Sequence, residues 1–170
     1  LFKYDSIYGK FHGDISYELD NLIIDGHTIR NFDRKTPAKL PWGELDVDFV
    51  IDSTGKFTNK HDLEQHIEAG AKNVLVTSPA KGVDATLVYG VNETDYKVKE
   101  HNIISASSCT TTCLTPILKV LQKNYGIKHG YVTTIHAFTM GQTLLDSSHP
   151  DLRRARAATI SMIPTTTGAA

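Results

Sequence analysis

Val47-Asp48-Phe49-Val50-Ile51, Asp62-Leu63-Glu64-Gln65-His66-Ile67-Glu68-Ala69 and Asn73-Val74-Leu75-Val76-Thr77 follow one another within about thirty residues, and their order decides the fold. Each flanking run is short, apolar and rich in β-branched residues, the mark of a buried strand; the middle run predicts a helix. Strand, helix and strand in this order argue for parallel pairing through a crossover. Short apolar runs at Thr86–Val88 and Ile103–Ser105 add further strands. The pattern predicts an α/β fold containing the second half of a doubly wound nucleotide-binding domain, with ligands at the carboxyl ends of its strands.

Upstream the periodicity differs. Ile15, Tyr17 and Leu19, then Leu22 and Ile24, then Ile29 alternate, with Asp20-Asn21 and Asp25-Gly26 as turn signals, so residues 15–32 read as an antiparallel meander. Downstream, Leu114, Ile117, Leu118 and Leu121 recur at helical spacing, and Gly126 follows as a stop. Ser107-Ser108-Cys109-Thr110-Thr111-Thr112-Cys113 therefore lies where an apolar strand gives way to a helix. Cys109 falls in the first turn, where unpaired amide N–H groups and the helix dipole favour a thiolate. Cys113, one turn on, is expected to pack inside. A thiol needs an imidazole to act as nucleophile and base pair. Gly130 to Thr139 reads as a β-branched strand that carries His136, one of eight histidines.

Composition narrows the classes. The 170 residues carry a net charge of −1, so no global basic field draws nucleic acid or an anionic membrane surface. Basic residues are not interleaved with aromatics, and no apolar run approaches the roughly 20 residues of a membrane span. Two cysteines four residues apart on one helix make neither a disulfide framework nor a zinc site, so no metal is expected.

Ala106 to Pro116 resembles the active-site segment of phosphorylating glyceraldehyde-3-phosphate dehydrogenases. Six other stretches resemble motifs of that family and stand in its order: Tyr4 to Phe11, Leu40-Pro41-Trp42-Gly43, Asp52-Ser53-Thr54-Gly55-Lys56-Phe57, Gly90-Val91-Asn92, Thr133-Thr134-Ile135-His136-Ala137 and Ile163 to Ala170. The resemblance implies an incomplete Rossmann-type NAD(P)-binding domain over residues 1–107 and the start of an α+β catalytic domain over 108–170. It also implies that a Gly-rich strand-turn precedes Leu1 and that the catalytic domain continues past Ala170. The chain is expected to be an internal segment, inactive alone.

The same resemblance implies site residues. Cys109 would attack the aldehyde of glyceraldehyde 3-phosphate, with His136 as base. Ser108, Thr110, Arg154 and Thr167, with Gly168 beside it, match inorganic-phosphate contacts, and Thr139 a contact to the substrate's phosphate. Arg34, Ser53, Thr54, Gly55, Phe57 and Thr77 match contacts to the cofactor, NAD or NADP, and Ser53, Thr54, Gly55 and Phe57 match positions that line its adenosine side. Ser78 stands where the family has Ala, Thr112 where it has Asn, and Arg34 is one residue out of register. A cytoplasmic homotetramer is implied. Erythrose-4-phosphate dehydrogenases share the Cys–His pair and can carry His149 to Arg154. Thr139 and residues 165–170 follow the glyceraldehyde type more closely. A noncatalytic binding role is the third alternative.

Overall fold

The computed structural model describes residues 2–169. Two compact units are distinguished, Leu1–Val50 with His61–Val74 and Ile51–Lys60 with Leu75–Ala170.

The first unit opens with a two-stranded antiparallel ribbon, β1 (Tyr4–Asp5) and β2 (Gly9–Lys10). Its turn is closed by Asp5, whose carboxylate accepts the Ile7 and Tyr8 N–H groups, each at 2.8 Å. The expected meander follows as β3 (Ile15–Glu18), β4 (Asn21–Ile24) and β5 (His27–Arg30). Its register pairs Ile15 with Ile24 and Leu22 with Ile29. The second turn, Asp25-Gly26, is the one expected, and both residues take positive φ, as a two-residue hairpin of this hand requires. The first turn is Leu19-Asp20 rather than Asp20-Asn21, because Asn21 is used in the ladder opposite Glu18 and Leu19 takes φ 51° instead.

α1 (Lys60–Glu68) begins two residues before its expected start, and Leu63 and His66 are its buried residues. Gly70 ends it at φ 100°, close against Gly43, whose N–H donates to the Ala69 carbonyl at 2.9 Å. A Cβ on Gly70 would run into the Gly43 backbone. The Leu-Pro-Trp-Gly motif is thus a packing device, and Trp42 adds an indole N–H to His66 Nδ1 at 3.0 Å.

The α/β expectation holds. β6 (Phe49–Asp52), β7 (Asn73–Val76), β8 (Ala85–Thr86) and β9 (Ile103–Ser105) form one four-stranded sheet in the order β6-β7-β9-β8. The non-sequential order is what crossover connections produce, and β8 and β9 pair in parallel. Burial alternates along β6, with Val50 and Asp52 inside and Phe49 and Ile51 exposed. Val74, Val76 and Ile103 are fully buried or nearly so.

Lys60 and Asp84 are bonded at 2.6 Å, and the other oxygen of Asp84 accepts the Asn102 and Ile103 N–H groups at 2.9 and 2.8 Å. The Ala80–Asp84 stretch, expected to be a plain surface turn, therefore carries an anchor at the head of β9. Burial works against ionising Asp84, but the Lys60 ammonium and the two amides outweigh it and hold the carboxyl below its usual range.

α2 (Cys109–Tyr125) ends at Gly126, φ 73°, as the stop signal predicted. Its apolar stripe is only partly covered: Leu114 and Leu118 are half-buried, while Ile117 and Leu121 are exposed. Among the described residues, no helix is long and apolar enough to cross a membrane.

Candidate active site

Three residues separate β9 from α2, and they bring the thiol to the end of the sheet. Ala106 N–H donates to the Val76 carbonyl at 2.9 Å, which prolongs the sheet by one bond. Ser107 then reverses the chain at φ 66°, a conformation that costs a non-glycine residue about 1–3 kcal/mol. Its surroundings hold it there. Only 4% exposed, it donates its N–H to Ser105 Oγ at 3.0 Å, and its hydroxyl lies 3.1 Å from Thr112 Oγ1. Ser108 is extended and caps α2, its Oγ accepting the Thr111 N–H at 3.0 Å.

Cys109 is thus the first residue of α2, and its Sγ lies 3.4 Å from His136 Nε2. The other ring nitrogen fixes the tautomer. His136 Nδ1 is 2.6 Å from the Ala137 carbonyl, which can only accept, so Nδ1 carries a proton and Nε2 faces the sulfur. The bond to His136 lowers the Cys109 thiol below its ordinary range; slight burial opposes this, and the Thr110 hydroxyl and amide add to the lowering. The Ala137 carbonyl, then Cys109, raise the His136 imidazole above its own. Both shifts favour a thiolate–imidazolium pair.

Two expectations about these elements fail. Residues 130–139 form no strand: among the described residues they have no ladder partner, and a strand exists only through one. Cys113 is exposed rather than packed inside, because among the described residues α2 buries none of its side chains.

The residues matched to phosphate contacts divide. Arg153 is bound to Asp151 through Nε and Nη2, which pulls that carboxyl down to about 2, and Arg156 pairs with Asp146 at 2.7 Å. Arg154 has no carboxylate within ion-pair distance among the described residues. Its Nε donates to Thr165 Oγ1 at 3.0 Å, and Gly141 brings it beside Thr139. Arg154 and Thr139 are therefore together. Thr167 Oγ1 accepts the Ala169 N–H at 3.3 Å, and Thr167 and Gly168 are exposed. Ser108 Oγ accepts the cap bond and lies 2.8 Å from Thr111 Oγ1, and Thr110 faces the sulfur.

On the cofactor side, Ser53, Thr54 and Gly55 follow the carboxyl end of β6, and Thr77 follows that of β7. Thr77 N–H donates to the Asp52 carbonyl at 2.9 Å, which brings the two strand ends together. Gly55 takes φ 68°, with open space where a Cβ would point. Exposed hydroxyls at Ser53, Thr54 and Thr77, with half-buried Phe57, fit a dinucleotide laid across these ends. Arg34 is exposed and donates to its neighbour Asp33's carbonyl at 2.9 Å.

Sequence reasoning missed Asp52 and the bend at Ser107. Asp52 is 3% exposed and accepts both the N–H and the hydroxyl of Thr54, at 2.9 and 2.7 Å. An Asp that closes an apolar strand ahead of Ser-Thr is the sequence signal for such a turn.

Residues 1–60 match the family model described as glyceraldehyde 3-phosphate dehydrogenase, NAD binding domain, and residues 108–170 match its C-terminal domain. The chain belongs to the glyceraldehyde-3-phosphate dehydrogenase family. It is 54% identical over all 170 residues to glyceraldehyde-3-phosphate dehydrogenase 2 of Streptomyces avermitilis and to the glyceraldehyde-3-phosphate dehydrogenase of Thermotoga maritima, and 49% identical to that of Geobacillus stearothermophilus. It covers 51% of the length of each, so it spans about half of these glyceraldehyde-3-phosphate dehydrogenase relatives.

Proposed function

We propose that this chain carries the nucleophile and base of an NAD-dependent dehydrogenase that oxidises glyceraldehyde 3-phosphate and phosphorylates the product to 1,3-bisphosphoglycerate. The observation that carries the reading is the 3.4 Å approach of Cys109 Sγ to His136 Nε2 at a helix start. The names of the relatives support the substrate. The division into a cofactor part, residues 1–107, and a catalytic part, residues 108–170, belongs to the same proposal, as do assembly as a homotetramer and a cytoplasmic location.

In this mechanism Cys109 Sγ bonds to the aldehyde carbon, and the oxygen takes up a proton to give a thiohemiacetal. His136 Nε2 then removes the hydroxyl proton as the carbonyl re-forms. NAD, when bound, supplies a hydride acceptor, and Ser53, Thr54, Gly55, Phe57 and Thr77 would hold it. The carbon is left as a thioester on Cys109. An oxygen of inorganic phosphate adds to it, the C–S bond breaks, and the thiolate returns beside the imidazolium. Two anions need donors. Arg154 offers a guanidinium with no carboxylate in ion-pair contact among the described residues, and Thr139 stands near it for the substrate phosphate. Thr110, Thr167 and Gly168 complete the proposed phosphate contacts, with Ser108 shaping the helix start. Thr139 also favours the glyceraldehyde over the erythrose 4-phosphate reaction.

Alkylation of the intact protein across pH tests the pair. Cys109 should react well below the ordinary thiol range and ahead of Cys113, and Cys109→Ser should abolish turnover. His136→Asn removes both the ion partner and the base. The inflection in alkylation rate should then move up toward the ordinary thiol value, about 8.5, and turnover should fall about 10²–10⁴-fold. Equal labelling of the two thiols, or an inflection unmoved by His136→Asn, refutes the assignment.

A further inference from the structure

The hydroxyl of Thr54 has one proton to give and two lone pairs with which to accept. Asp52 takes the proton: its Oδ1 lies 2.7 Å from Thr54 Oγ1, and a carboxylate can only accept. One lone pair is used as well, since the Lys56 N–H donates to Thr54 Oγ1 at 3.2 Å. The same carboxylate oxygen holds the Thr54 N–H at 2.9 Å, so that donor is also spent inside the turn. The exposed Thr54 hydroxyl can then offer a ligand one lone pair and no proton. Asp52 is suited to fix this. It is 3% exposed at the end of a sheet strand, and its own carbonyl receives the Thr77 N–H at 2.9 Å, tying the turn to the second strand end.

We propose that Asp52 is a positioning residue that sets the Thr54 hydroxyl as a hydrogen-bond acceptor, so that Thr54 meets a hydroxyl or amino group of the dinucleotide's adenosine and never a phosphate oxygen. The inference rests on reading residues 53–57 as part of the cofactor site, and it adds which kind of ligand atom that turn selects. A phosphate oxygen, an acceptor only at neutral pH, would face the Thr54 lone pair without a proton between them. A ribose hydroxyl or an adenine amine brings the proton itself.

The test uses the intact protein, NAD, and adenosine diphosphate ribose as a probe that lacks nicotinamide. Asp52→Ala frees the Thr54 hydroxyl to rotate, Asp52→Asn keeps one acceptor oxygen, and Thr54→Val removes the hydroxyl from an exposed position. For Asp52→Ala and Thr54→Val alike, KM for NAD and Kd for the probe should rise about tenfold, with a much smaller change in kcat, as loss of uniform binding predicts. Asp52→Asn should recover most of that loss, and the double variant Asp52→Ala with Thr54→Val should be no worse than either single one. A merely structural role for Asp52 would lower kcat and the active fraction together and would not spare Asp52→Asn. Unchanged probe affinity in Thr54→Val, or fully additive losses in the double variant, overturns the proposal while leaving the cofactor site in place. Failure of the unaltered protein to bind NAD overturns the cofactor reading itself.

Discussion

Replacing Ser108 separates two jobs that fall on one hydroxyl. In Ser108→Ala the Thr111 N–H loses an acceptor at 3.0 Å, and the contact with Thr111 Oγ1 at 2.8 Å goes with it. Lost caps of this kind cost about 0.5–2 kcal/mol and typically about 1, or roughly a fivefold change in the opening equilibrium of the first turn. Ser108→Gly should cost only a few tenths of a kcal/mol, and Ser108→Asp, itself a good cap, about nothing. Amide exchange at Thr111 in the intact protein reads this directly: protection should fall about fivefold in the Ala variant and stay level in the Asp variant. Turnover separates the second job. A carboxylate at position 108 stands beside the Cys109 thiolate and the proposed phosphate contacts, so Ser108→Asp should raise KM for inorganic phosphate and move the Cys109 alkylation inflection upward, although the helix start is intact. If Ser108→Ala leaves Thr111 protection unchanged, the cap is energetically idle and the reasoning fails. If Ser108→Asp has the phosphate KM of the unaltered protein, position 108 does not face the anion.

Two further outcomes concern stability. Asp84→Ala strips the acceptor from the buried Ile103 N–H, from that of Asn102 and from the Lys60 pair, for a loss of about 2–4 kcal/mol in chemical denaturation, most of it from the orphaned amides. Asp84→Asn keeps an oxygen for both amides and should lose much less; equal losses would put the weight on the ion pair. Because the folded-state carboxyl is held below its ordinary value, its contribution is present above the unfolded-state value and disappears as pH falls through the folded-state one. Ser78→Ala removes a buried hydroxyl that has no partner among the described residues, and should stabilise by about 1 kcal/mol. A destabilised Ser78→Ala variant would mean that the hydroxyl is satisfied after all.

The parts of the fold legible in the sequence were those whose signal is local. Alternation at Ile15 to Ile29 marked the meander, the apolar runs at Phe49 and Val74 marked parallel strands, and Gly126 marked the end of α2. The turn at Leu19 falls one residue before the expected one: Asp20 and Asn21 carry stronger turn chemistry than a leucine, but the register opposite β4 decides which residues turn. Gly130 to Thr139 has strand composition, but composition supplies no partner. The Cys109–His136 approach crosses 27 residues, a separation that spacing cannot resolve; the order of the family motifs carried it. Asp52 stands out less, since a buried carboxylate acting inside a turn looks, in sequence, like one more polar loop residue.

The two halves of that pair are mounted differently. The sulfur sits one helical step from a bend pinned by Ser105 and Thr112 at the carboxyl end of an interior strand, so sheet and helix hydrogen bonds set its place. The imidazole hangs on backbone that has no ladder bonds among the described residues, and a neighbouring carbonyl steadies it. The position of the imidazole relative to the sulfur therefore depends on side-chain and single backbone contacts more than on regular structure, so a substitution within residues 130–139 is expected to alter the spacing more than one within β9.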